Sequence, residues 1–226
     1  MKVHEANDSQ ANEPGVTVER LETAALAMGC FWSPDALFGS LPGVVRTEVG
    51  FAGGTTAEPT YRQIGDHTET VRLWYDSAVV SFEELLEVFW SHHNPDNVNG
   101  YKDRQYQSIA FYGDERQREA IERVSKRRQS REGREPATER IRAGAFYPAE
   151  ERHQKYYLKR HPDALARLGE LYPTMEALTQ GTLAARLNGL AKGFTNRSRI
   201  LEELGQWEIA REQRELLEQL VREMRW

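Results

Sequence analysis

The sequence predicts an α+β protein, with a two-layer domain over residues 21–160 followed by a helical extension over residues 161–226. Three observations predict it. Short apolar or alternating runs suited to strands are separated by amphipathic, helix-forming stretches. The connections between them are rich in Gly and Pro, and from Pro162 onward only helical spacing is found. A length of 226 residues suffices for one large domain with an appendage. The 39% hydrophobic and 29% charged residues are a globular composition.

Residues 1–20 are polar and aperiodic, which predicts a mobile tail. Residues 23–28 form an apolar run suited to a buried strand, and Ser33, Pro34 and Asp35 then supply an N-cap, a first-turn proline and an acidic residue for a helix. Residues 44–51 read as a second strand, stopped by Gly53 and Gly54, and residues 70–75 alternate as a third. Ser81 with Glu84 makes a capping box before Leu85, Leu86, Phe89 and Trp90. After a polar loop over residues 92–104, residues 106–112 read as a fourth strand, and Asp114 caps a charged helix running to about Gln129. The basic Lys126, Arg127 and Arg128 are surrounded by glutamates and read as a solvated face. A short strand is expected over residues 138–141, and Pro148 is expected to open a helix carrying His153, Tyr156 and Tyr157. Beyond it, residues 164–171, 183–190 and 207–224 carry helical spacing, the last with Leu216, Leu217, Leu220 and Val221 on one side.

Composition excludes several function classes. Thirty Lys and Arg against 35 Asp and Glu leave a net charge of -5, which makes nucleic acid and anionic membrane surfaces poor partners. No apolar run approaches the ~20 residues of a membrane span, and residues 1–20 contain no secretory h-region, so a cytoplasmic location is expected. A single cysteine, Cys30, rules out a disulfide framework and zinc sites built on several thiolates. His67, His92, His93 and His153 do not form a His-Glu-x-x-His pattern, and no metal is expected on them. Gly50 to Gly54 lacks the ending of a phosphate loop and reads as a turn leaving a strand.

The chemistry converges on Cys30. It ends an apolar strand just before a helix start, where free N–H groups and the helix dipole are expected to lower the thiol pKa. Phe31 and Trp32 beside it make an apolar socket for a small substrate.

Gly29-Cys30-Phe31-Trp32 resembles the active-site signature of the peptide methionine sulfoxide reductase A family. The resemblance continues in order through Leu41-Pro42-Gly43-Val44, Gly50-Phe51-Ala52-Gly53-Gly54, Pro59-Thr60-Tyr61, His67-Thr68-Glu69, His92-His93-Asn94-Pro95, Gln105-Tyr106 and Phe146-Tyr147-Pro148-Ala149-Glu150 to His153-Gln154-Lys155-Tyr156. It covers about residues 22–160. It implies a mixed sheet with split β-α-β, ferredoxin-like character, and reduction of methionine S-sulfoxide, free or in oxidised proteins, to methionine.

Reducing a sulfoxide requires a nucleophile for the sulfur and an acid for the oxygen, since oxide does not depart unprotonated. The resemblance makes Cys30 the nucleophile and Glu69 the acid, the latter needing a pKa raised by an apolar pocket. It makes Tyr61 and Tyr106 the groups that bind the sulfoxide oxygen, and Phe31 and Trp32 the rings that hold the methyl group. The sequence departs from the family at Ser33, in place of a glycine, and in shorter loops after Tyr61 and after Pro95. The family's substrate-fixing aspartate is then matched by Asp103 or by nothing. No bound cofactor is implied. With no second cysteine in the chain, the sulfenic acid left on Cys30 must be resolved by an external thiol: thioredoxin, glutaredoxin or glutathione. Two other classes stay open: a methionine sulfoxide binding module without turnover, and a thiol peroxidase.

Overall fold

The computed structural model describes residues 21–98, 100 and 103–226. The expected tail over residues 1–20 lies outside the described residues. Strands β1 (Leu21–Met28), β2 (Val44–Ala52), β3 (Thr68–Asp76), β4 (Ser108–Tyr112), β5 (Glu139–Arg142) and β6 (Phe146–Pro148) form one sheet in the order β5-β4-β1-β3-β2-β6. The β4/β5 pair is parallel and the other four pairs are antiparallel, so the sheet is mixed. Helix α1 (Trp32–Gly39) connects β1 to β2 and α2 (Phe82–Ser91) connects β3 to β4. Each crossover skips one strand: β3 lies between β1 and β2, and β1 lies between β3 and β4. Helix α3 (Glu115–Glu132) follows β4.

The core is built as the residue patterns require. Leu26, Val49, Val71 and Leu73 of the central strands pack with Phe38 of α1, Leu85, Leu86 and Phe89 of α2, and Ile121 and Val124 of α3. Ser81 and Glu84 form the capping box expected of them, and the Asp114 carboxylate accepts from the Gln117 N–H at the start of α3. Glu83 and Glu87 of α2 take Arg123, Arg127 and Arg131 of α3 as ion-pair partners, so Arg127 of the basic stretch serves a solvated helix face.

Several local expectations are corrected. Helix α1 begins one residue before Ser33: Phe31 is its N-cap, and the Ser33 hydroxyl hydrogen-bonds the Tyr157 hydroxyl instead. Tyr106 does not belong to β4 but closes a single 3-10 turn, Arg104–Tyr106. Pro148 ends a strand rather than opening a helix, because β6 pairs along the outer edge of β2, where a missing N–H costs nothing. The chain that follows stays irregular, with 3-10 turns at Glu151–His153 and Leu158–Arg160, and Lys155 has φ +50°. Its hold on the sheet comes from the Gln154 amide, which accepts from Val49 N–H and donates to the Val49 and Ala149 carbonyls.

After His161 come α4 (Pro162–Leu168), α5 (Met175–Gln180), α6 (Thr182–Lys192), α7 (Arg197–Leu204) and α8 (Arg211–Glu223). Helices α5 and α7, capped by the Thr174 and Asn196 side chains, have no counterpart in the sequence reading. On α8 the inward stripe is Leu217 and Val221, while Leu216 is 58% exposed, because adjacent helical positions diverge by about 100°. These helices share a second core with Leu158, and they lie against the first domain through α6. Backbone approach between α1 and α6 leaves no room for a Cβ at Gly39 or Gly189, which would meet the Ala185 carbonyl oxygen at 2.9 Å and Ser40 Cβ at 2.5 Å. The buried Arg186 guanidinium donates to the Gly39 carbonyl (2.7 Å) and to both oxygens of Glu203. Among the described residues, no helix is long and apolar enough to cross a membrane.

Candidate active site

The end of β1 delivers Cys30 to the first turn of α1. Gly29 makes the corner at φ +91°, a conformation that strains any L side chain, so the strand can turn directly into the helix. The helix N-terminus supplies unpaired donors, and the backbone N–H of Trp32 donates to the Cys30 sulfur. The expected low thiol pKa is nevertheless reversed. Burial pushes the Cys30 thiol up to about 11, the Trp32 N–H only partly offsets this, and the negative charge of Glu69 adds to the rise. The resting sulfur is therefore a thiol at neutral pH.

Glu69 reaches the same helix turn from the middle strand β3. It is 1% exposed, and its Oε2 accepts from the Phe31 N–H at 3.0 Å. Its Oε1 accepts from the Gln105 side-chain amide at 2.6 Å. Burial raises its pKa, while the two donors hold it back. A carboxyl whose burial favours its protonated form, next to a thiol, is the pairing that proton delivery to a developing oxyanion requires.

Aromatic rings wall the pocket. Phe31 is 1% exposed, so its ring is a packed wall against Phe51, Tyr61 and His153, whereas Trp32 is half-buried. The Trp32 ring stacks on Tyr156 with centroids 3.8 Å apart, and its indole N–H donates to His153 Nδ1 at 3.2 Å. His153 also stacks on Tyr61, centroids 4.4 Å apart, and the Tyr61 and Tyr106 hydroxyls are hydrogen-bonded to each other. Burial and the charges of Glu69 and Cys30 raise the Tyr61 pKa, which keeps its phenol a donor.

The structure thus brings together Cys30, Glu69, Phe31, Trp32, Tyr61 and Tyr106. It does not bring in Asp103, which is exposed and contributes only its carbonyl, accepting from Tyr106 N–H and the Gln107 amide. The residue of that loop that reaches the carboxylate is Gln105. Neither Gln105 nor His153 was assigned to the site from sequence. The Gln105-Tyr106 block carried a signal for the first, but nothing in the chain order places His153 beneath Trp32.

His67, His92 and His93, the other histidines read for a metal, are separate structural ties. His67 accepts from Gly54 N–H and contacts the Thr56 carbonyl, His92 folds back on the Val88 carbonyl, and His93 bridges the Phe89 carbonyl and the Ser108 hydroxyl. Among the described residues no three His, Cys, Asp or Glu side chains group as metal ligands.

The Gln105 contact has a measurable consequence. A donor to Glu69 favours its charged form, so Gln105→Leu moves the Glu69 pKa further up. If Glu69 must carry a proton to act, the alkaline limb of kcat/KM moves to higher pH in that variant. A pH–rate profile measures it, and an unmoved limb would remove Gln105 from the proton inventory.

Comparison with known proteins identifies the family. The profile of the family described as "Peptide methionine sulfoxide reductase" matches residues 22–180. A rice (Oryza sativa subsp. japonica) protein named peptide methionine sulfoxide reductase A5 is 45% identical over 174 residues, covering 75% of this chain and 68% of the relative. A Drosophila melanogaster protein named peptide methionine sulfoxide reductase is 41% identical over 190 residues, covering 84% and 74%. Among solved structures, methionine sulfoxide reductase A of Corynebacterium diphtheriae superposes with a TM-score of 0.53 at 30% identity, covering 70% of this chain and 91% of that one.

Proposed function

This chain belongs to the peptide methionine sulfoxide reductase family, and from that premise we propose that it reduces the S epimer of methionine sulfoxide through a sulfenic acid on Cys30. Its activity is the thiol-dependent reduction of methionine sulfoxide to methionine. The observation that carries the mechanism is that the Glu69 carboxylate and the Cys30 thiol are held by the same helix turn, through the N–H groups of Phe31 and Trp32.

The substrate methyl group lies against Phe31 and Trp32, and the sulfoxide oxygen is received by Tyr61, Tyr106 and Glu69. Glu69 gives its proton to the oxygen as the Cys30 sulfur attacks the substrate sulfur. The S–S bond so formed and the S–O bond of the substrate then break as the hydroxyl group passes to the Cys30 sulfur, and methionine leaves. The thiol proton restores Glu69, so one thiol and one sulfoxide become one sulfenic acid and one thioether with no net proton consumed. A thiol pKa of about 11 suits this order, because the thiol loses its proton only as the neighbouring acid gives one up.

The cycle closes through an external thiol, since Cys30 is the only cysteine. Thioredoxin, glutaredoxin or glutathione can attack the sulfenic acid, release water and form a mixed disulfide that a second thiol resolves. The cytoplasm supplies such thiols. We also read the strand order and the two strand-skipping crossovers as a ferredoxin-like core.

Without reductant, one methionine per chain is expected, with Cys30 one oxygen heavier by mass spectrometry and no internal disulfide. Released methionine beside an unmodified thiol would contradict the mechanism. A binding module would retain methionine sulfoxide and release no methionine.

A further inference from the structure

The wall of the Cys30 pocket carries cations on its outer side. Arg160 Nη1 donates to the Tyr156 hydroxyl at 2.9 Å, and its guanidinium lies 5.6 Å from that ring's centroid, on the tyrosine stacked against Trp32. Lys192, the last residue of α6, places Nζ 4.7 Å from the centroid of Tyr157, whose hydroxyl is bonded to Ser33 in the first turn of α1. Neither cation has a carboxylate partner among the described residues, in contrast to the arginines of α3 that face Glu83 and Glu87.

Arg152 is the third. Its Nε is directed at His153 Nε2 (3.1 Å), while Trp32 already donates to Nδ1 of the same ring. Burial holds His153 neutral, and a neutral imidazole accepts at one nitrogen only. One donor must give way, and the Arg152 side chain, 57% exposed, is the one able to turn. Its link to Glu150 is long, at 3.4 Å, and the other oxygen of Glu150 faces the Tyr61 N–H. Glu151 is exposed on the same segment, and its carbonyl is taken by Lys159. Three cations therefore lie around the aromatic wall, with the loosely held Glu150 and the exposed Glu151 on the segment between them, on a chain whose net charge is -5.

We propose that Arg152, Arg160 and Lys192 form a carboxylate-receiving rim, so that methionine sulfoxide carrying a nearby carboxylate is the favoured substrate. The carboxylate is either the α-carboxylate of the free amino acid or an acidic side chain next to the oxidised residue in a peptide. This rests on the reductase reading above and adds its substrate class. It also gives α6 of the C-terminal helices a part in the site, since Lys192 comes from it.

The experiment measures kcat/KM on two substrate pairs: peptides differing only in Glu or Gln beside methionine sulfoxide, and free methionine sulfoxide against its carboxamide. For at least one pair the carboxylate-bearing member is expected to be favoured about five-fold at low ionic strength, the scale of a few screened, exposed ion pairs. Which pair shows it identifies the source of the carboxylate. The preference is expected to fall toward unity in ~0.5 M salt and in the variant R152Q/R160Q/K192Q. Because each result is a ratio within one protein preparation, loss of folding does not imitate it. Equal rates within both pairs, or a preference that survives in the triple variant, overturns the rim. Failure of the wild-type chain to reduce even the neutral members would instead overturn the reductase reading.

Discussion

Cys30→Ser abolishes methionine formation, and Glu69→Gln lowers kcat/KM by about 10²–10⁴-fold, the usual worth of a positioned general acid. Serine fills the space of the thiol, but its oxygen cannot take up the sulfoxide oxygen as a sulfenic acid. Glutamine at position 69 keeps an acceptor for the Phe31 N–H, loses the transferable proton and the charge, and presents an NH2 toward the Gln105 amide where Glu69 offered Oε1. The two variants are separated by a second readout. The Glu69 charge helps hold the Cys30 pKa up, so removing it lowers that pKa and makes the thiol alkylate faster at a given pH. Glu69→Gln should therefore turn over more slowly while reacting faster with iodoacetamide. A variant that is slow in both has lost its fold or its helix turn rather than its acid, and one with undiminished turnover removes Glu69 from the mechanism.

Lys155→Met is expected to destabilise the protein by about 3–5 kcal/mol, the cost of leaving a buried charge without its partner. Lys155 and Asp35 are both 0% exposed, with Nζ 3.0 Å from Asp35 Oδ1. Nζ also donates to the Thr47 carbonyl (2.7 Å) and hydroxyl (2.8 Å), and Thr47 in turn donates to Asp35. The second oxygen of Asp35 accepts from the Lys155 N–H (3.1 Å) and the Asn188 amide (3.0 Å). One carboxylate thus ties together α1, β2, the irregular segment after β6 and α6. Denaturant midpoints check the magnitude. The double variant Asp35→Asn/Lys155→Met should lose clearly less than the sum of the single ones, because no charge is then left unpaired. Additive losses would show that the pair is not coupled as drawn.

Much of the site was legible because its residues sit in local signals. The apolar run ending at Cys30, the following helix start, the alternation through residues 70–75 and the capping box at Ser81 depend on near neighbours, and the structure keeps them. The ordered blocks from Gly29 to Tyr156 pointed to Glu69, Tyr61 and Tyr106. The errors lie where a distant partner decides. Ser33 has the side chain of an N-cap, but Glu69, 38 residues from Phe31, takes the N–H at the helix start. Pro148 is a good helix opener, but the open edge of β2 pairs with it first.

By itself, then, the sequence determined the class of fold, from periodicity, and that any sulfur nucleophile of this chain is Cys30 with no second thiol beside it, from the count of cysteines. Tertiary structure alone decided the protonation of that sulfur, the choice of Gln105 over Asp103 beside Glu69, and the reach of the C-terminal helices to α1 through Asn188 and Arg186. The reason is physical: a pKa follows from how much water and charge surround a group, and those neighbours come from strands and helices far apart in the chain.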